Sequence, residues 1–84
     1  MISADFVAML RCPEDHSTLT LGDAALISRL NQAIAAGRLK NRAGQSIEKK
    51  LDGVLLRADG RVAYPIVDEI PILLIDEAIL MTDA

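Results

Sequence analysis

The chain has 84 residues, 51% of them hydrophobic and 25% charged, with a formal net charge of −3 at pH 7. That length supports a single domain over residues 1–84, and the apolar fraction excludes a disordered chain. One cysteine excludes an internal disulfide and fits a reducing cytoplasm, while the acidic balance gives no global reason for nucleic-acid binding.

Ser3 ahead of Ala-Asp-Phe-Val-Ala-Met-Leu predicts a short capped helix, with Asp5 well placed in its first turn. Phe6, Met9 and Leu10 share one face at i, i+3 and i+4, and Pro13 ends the helix. The same N-terminal stretch lacks the basic region of a signal peptide, and no apolar run approaches the ~20 residues of a membrane span. The expectation is a cytoplasmic protein with no membrane partner. In the segment STLTLG, Leu19 and Leu21 point one way and Thr18 and Thr20 the other, which predicts a short half-buried strand. Asp23 next offers an N-cap, Leu26, Ile27, Leu30, Ala33 and Ile34 recur at helical spacing, and Gly37 stands where a C′ glycine belongs. A helix is therefore expected over 24–36, with Ser28, Arg29, Asn31, Gln32 and Ala35 on its outer face.

Residues 38–52 are polar and broken by Gly44, with a weak pairing expected between 39–41 and 46–48. Asp52-Gly53 is a turn signal. VLLR and RVAYPI then flank the connection Ala-Asp-Gly, the pattern of a β-hairpin. A turn at Val67-Asp68-Glu69 leads to IPILLI, where Pro71 lacks an amide donor and confines the run to an edge strand or an extended segment. Residues 76–81 are expected to close with a helical turn. The sum is an α+β fold: a small antiparallel sheet of three to four strands, with the short N-terminal helix and the amphipathic helix of a 22–52 insert packed on one side.

Charge is unevenly placed. Residues 29–50 carry Arg29, Arg38, Lys40, Arg42, Lys49 and Lys50 against Glu48, whereas from Tyr64 onward there are five acids and no base. Solvated faces that keep a small protein soluble explain such a pattern, and so does a dipolar surface that orients a partner.

Two stretches carry a resemblance. Met9-Leu10-Arg11-Cys12-Pro13-Glu14-Asp15 stands near the N-terminus. Asp59-Gly60-Arg61, Ala63-Tyr64-Pro65-Ile66, Asp68-Glu69-Ile70-Pro71-Ile72-Leu73-Leu74 and Asp76-Glu77-Ala78 follow in the last third. In this order they resemble the small zinc-ribbon activators of methyltransferases. That family includes the activating subunit shared by tRNA, ribosomal RNA and release-factor methyltransferases. The resemblance covers both ends of the chain, and 22–52 matches only as an insert in the right place. It implies a zinc-ribbon-like sheet and a methyltransferase subunit as partner, bound through Tyr64, Pro65, Ile66, Ile70, Ile72 and Leu73. Glu69 departs from the family's Gly after Asp68; since Glu disfavours positive φ, a different turn is expected there.

The metal ligands are missing. A structural zinc site needs four soft or borderline ligands, usually two Cys-x-x-Cys knuckles. The first knuckle here is Cys12-x-x-Asp15, and the family spacing from Pro65 puts the second on Arg57 and Gly60, neither of which can bind zinc. Glu14 and His16 crowd the same loop as Cys12 and make a poor cage. No metal is expected, and Cys12 reads as a small buried hydrophobe. With opposite charges at two emptied positions, an Asp15–Arg57 ion pair is expected to stand in for the metal.

Catalytic material is thin. Cys12 and His16 at spacing four share a face only on a helix, which Pro13 opposes, and no cofactor fingerprint is present, so neither an enzyme nor a cofactor is expected. The basic 38–50 segment lacks interleaved aromatics and touches RNA only in an accessory role. The favoured function is a non-catalytic interaction module resembling a methyltransferase activator. The alternatives are a self-associating structural or regulatory protein, such as a homodimer, and an accessory RNA-binding protein.

Overall fold

A computed structural model describes residues 4–81, so the expected cap at Ser3 lies outside the described residues. In chain order it contains α1 (Ala4–Met9), β1 (Leu19–Leu21), α2 (Ala24–Ala35), β2 (Gly53–Arg57), β3 (Val62–Val67), β4 (Ile70–Pro71), a 3-10 turn (Ile75–Glu77) and β5 (Ile79–Leu80). The α+β class and the small antiparallel sheet are as the sequence predicts.

The β2–β3 hairpin is the centre of the sheet. Its turn is closed by Gly60 at φ 72, whose N–H donates to Arg57 O at 2.8 Å, while Asp59 Oδ1 accepts from the Arg61 N–H at 2.9 Å. Leu55 faces Tyr64 and Gly53 faces Ile66 across it. β1 adds to the far side of β2, with Leu19 opposite Arg57 and Leu21 opposite Leu55. The other edge of β3 is shared, β4 lying beside Ile66–Val67 and β5 beside Val62–Ala63.

Because directly opposed residues share a face, this register sorts the core into two halves. Leu19, Leu55, Val62, Tyr64 and Ile66 point to one face and meet Val7, Cys12, Leu10 and Leu73. Val54, Ala63 and Ile79 point to the other and meet Leu30 and Ala33 of α2 together with Leu39 and Leu51. One packing detail therefore differs from expectation: the helices do not share a side but cover opposite faces. Strands buried on both faces need two covers, and β2 reads as a continuous apolar run for that reason.

α2 forms where its signals place it. Asp23 Oδ1 accepts from the Leu26 N–H at 2.8 Å. At the other end the Gly37 and Arg38 N–H groups bond Ile34 O and Ala33 O, with Gly37 at φ 71, a Schellman closure. α1 differs in its phase: Val7 is buried and Leu10 half-buried, while Phe6 is 44% and Met9 79% exposed. A six-residue helix has one packing contact to satisfy, and Val7 with Leu10 satisfies it against β1.

β1 is half as expected, with Leu19 buried and Leu21 45% exposed. The weak pairing in the insert is a single bridge between Lys40 and Ser46. β4 is the edge strand that Pro71 requires; of the helical turn expected over 76–81, a 3-10 turn stands at 75–77, while 79–80 instead pair with β3 as β5. The turn before β4 corrects an expectation: Asp68 and Glu69 both take positive φ, 52° and 63°, the pattern of a type I′ hairpin turn. The Glu69 N–H donates to Asp52 Oδ2 at 2.9 Å, which helps hold glutamate in a conformation that suits glycine.

Candidate functional site

The first candidate is the junction of the two loops that would hold a metal in a zinc ribbon. The 12–17 loop is closed by backbone bonds from the His16 N–H to Cys12 O at 2.8 Å and from the Cys12 N–H to Ser17 O at 2.9 Å, with His16 at φ 63. Cys12 is fully buried, and its Sγ lies 3.0 Å from the hydroxyl of Tyr64, also fully buried, from β3. This pair joins the N-terminal loop to the sheet from beneath. Burial first, and the Cys12 contact second, raise the pKa of the Tyr64 phenol well above its usual value.

Arg57 at the end of β2 reaches across to the 12–17 loop, as the emptied positions predict, but its principal partners are others. The guanidinium holds Asp59 through two parallel bonds, Nε to Oδ1 at 3.0 Å and Nη2 to Oδ2 at 2.7 Å. Nη1 donates to Glu14 Oε1 at 3.0 Å, whereas Asp15 Oδ2 stands at 3.8 Å from Nε. The reason lies in the side chains. Asp15 Oδ1 is occupied by the Ser17 N–H at 2.9 Å and by the Ser17 hydroxyl, which turns this short carboxylate back into its own loop. Glu14 is one methylene longer and reaches out. Those Ser17 bonds, with Arg57 a lesser contributor, lower the Asp15 carboxyl from 3.8 to about 2. Asp59 is likewise lowered, chiefly by its bonds to Arg57. Arg42 from the insert pairs with the other Glu14 oxygen, so three separate segments meet here.

Zinc does not fit this junction. Among the described residues no three His, Cys, Asp or Glu side chains come together to hold a metal ion, and a guanidinium fills the space between the loops. Cys12 and His16 do not meet as a thiol–imidazole pair either: Cys12 faces Tyr64 in the core and His16 is exposed. Sequence reasoning missed Asp59, although its spacing of two from Arg57 across a glycine turn was a usable signal. Arg42 carried no such signal, since only the folded insert brings it to Glu14.

The second candidate is the C-terminal edge. Tyr64, Pro65 and Ile66 do not lie on it: all three are buried in β3, where β2 on one side and β4 and β5 on the other enclose them. They support the edge from within, which corrects their assignment to a contact surface. Ile70 is 63% exposed, Ile72 and Leu73 are half-buried, and Leu74 and Ile75 are 61% and 40% exposed. Ile72 donates its N–H to Pro65 O at 2.9 Å, and beyond it the chain leaves the sheet still extended, with Leu74 at φ −110 and ψ 131. Among the described residues the Leu73 and Leu74 N–H groups make no backbone hydrogen bond.

Cavities of about 780 and 500 Å³ flank α2, sharing Ile27 and Asp52; Cys12 and His16 line neither. No helix among the described residues is long and apolar enough to cross a membrane.

No family model matches the chain, and no curated protein matches it. It is similar to a protein of Xylella fastidiosa solved by solution NMR, with a TM-score of 0.76 and 27% sequence identity over 98% of this chain and 84% of that one. Coverage of that extent takes in the 22–52 insert as well as both ends, so the insert belongs to the shared architecture.

Proposed function

We propose that this protein is a non-catalytic interaction module of the methyltransferase-activator kind, which docks on a methyltransferase subunit through residues 70–75. The observation that supports this reading is an extended edge at which the Leu73 and Leu74 N–H groups make no backbone bond among the described residues and the Leu74 side chain is exposed. Exposed apolar edges of this sort are liabilities unless covered, and adding a strand from another chain covers backbone and side chains together. The junction supports the reading indirectly, because Arg57 ties Glu14 of the 12–17 loop to Asp59 of the β2–β3 turn, the two places where the resemblance puts its knuckles.

The test is affinity purification of the tagged chain from its native host. A methyltransferase recovered at near-equal stoichiometry, and lost with Ile70→Asp or Leu74→Asp, is the expected result. Recovery undiminished by those variants, or a tight homodimer with no methyltransferase, overturns the reading.

A further inference from the structure

We propose that the insert arm of residues 38–50 binds the phosphodiester backbone of a nucleic-acid strand through Arg38, Lys40, Lys49 and Lys50. It rests on different residues from the methyltransferase reading and stands independently of it. The arm holds five of the chain's nine cations but one of its twelve carboxylates, in a protein whose net charge is −3.

That charge sits on an ordered support. Leu39 is fully buried and Asn41 nearly so, while Arg38, Lys40 and Arg42 alternate with them on the exposed side. Backbone bonds from the Asn41 N–H to Gln45 O and from the Ile47 N–H to Leu39 O, both 2.9 Å, fix the two limbs, and Asn41 Oδ1 accepts from the Gln45 N–H. Successive outward positions on an extended limb lie roughly 6.6 Å apart, so Arg38 and Lys40 form a spaced row.

The pattern of pairing separates the base of the arm from its tip. Arg42 at the tip is taken by Glu14, and the Asn41 amide reaches Glu77 at 3.5 Å, so acids neutralise that end. Arg38, Lys40, Lys49 and Lys50 at the base have no ion-pair partner among the described residues, although the chain has a surplus of carboxylates. Free cations held on a pinned support match a phosphate chain.

The surface favours phosphate over an acidic protein. Among the described residues the arm exposes no large apolar side chain, which a protein interface needs at its desolvated centre. Backbone phosphates require only cations and polar donors such as Gln45 and Ser46. With no aromatic residue in the arm to stack bases, binding is sequence-neutral.

Fluorescence anisotropy of the full chain with short mixed-sequence single-stranded RNA and DNA tests the proposal, with polyglutamate as competitor. Four phosphate contacts on a single strand predict that affinity falls about fifty-fold between about 50 and 200 mM salt. Arg38→Ala with Lys40→Ala, and separately Lys49→Ala with Lys50→Ala, each halve that salt slope without lowering the melting temperature. Arg38→Lys with Lys40→Arg retains binding, and Arg61→Ala leaves it unchanged. Absence of salt-sensitive binding to either strand, indifference to both double variants, or equal displacement by polyglutamate overturns it.

Discussion

The loop junction and the C-terminal edge make opposite use of their surroundings. At the junction, Arg57 is answered by Asp59 and Glu14, Asp15 by Ser17, and Cys12 by Tyr64, so the polar groups are satisfied within the chain. At the edge, Leu74 and Ile70 are both more than 60% exposed, and among the described residues the Leu73 and Leu74 N–H groups make no backbone bond. A region closed on itself acts on stability; a region left open acts on something outside. The place that first reads as chemistry, with the one cysteine and one histidine in a single loop, is tied to the sheet by these contacts. The surface proposed for docking is a plain run of Ile and Leu.

That contrast can be broken by substitutions of unequal weight. Leu55→Ala, in the fully buried middle of β2 behind the junction, is expected to cost about 2–5 kcal/mol in chemical denaturation. Leu74→Asp at the edge should cost less than about 0.5 kcal/mol, because the side chain is already largely solvated. Similar losses from the two would erase the distinction. Glu69→Gly is expected to stabilise the protein by about 1 kcal/mol, since it relieves a positive φ and leaves the N–H bond to Asp52 intact. No gain would show that the glutamate side chain earns its strained place. Tyr64→Phe removes one end of the buried Sγ–hydroxyl contact and should cost roughly 1 kcal/mol, read from the same denaturation curves.

The smallest expected effect is in acid. The Asp15 carboxyl lies at about 2 in the fold against a usual 3.8. A depressed folded pKa stabilises above the unfolded value and loses that contribution as pH falls, here from near 4 towards 2. Denaturation followed through that window should show stability declining with acid, and Asp15→Asn should shallow the decline. An unchanged slope would mean that Ser17 does not hold the carboxylate.

Much of the fold was legible because local signals and burial agreed. Asp23, the Leu26–Ile34 stripe and Gly37 define α2 without tertiary help, and Asp59-Gly60 between two apolar runs defines the central hairpin. β5 was not legible: two residues, Ile79 and Leu80, carry no period and pair only because β3 offers them an edge. The side of the sheet each helix covers was hidden for a related reason. Both helices show an apolar stripe, but the face each one meets depends on the register of strands far away in sequence. At the junction, facing loops with opposite charge could be read from Asp15 and Arg57, while the dominance of Glu14 and Asp59 depended on reach and on Ser17 claiming Asp15 first. The error at Tyr64, Pro65 and Ile66 came from reading a motif as a surface, when in β3 the same residues are the floor beneath it.

The most direct measurement pairs two readouts on one variant, Leu74→Asp: its unfolding free energy, and the amount of methyltransferase that co-purifies with it from the native host. Unchanged stability with the methyltransferase lost is the predicted result. A methyltransferase retained in full, or lost only in step with a destabilised fold, would contradict the assignment of the open edge as the functional surface.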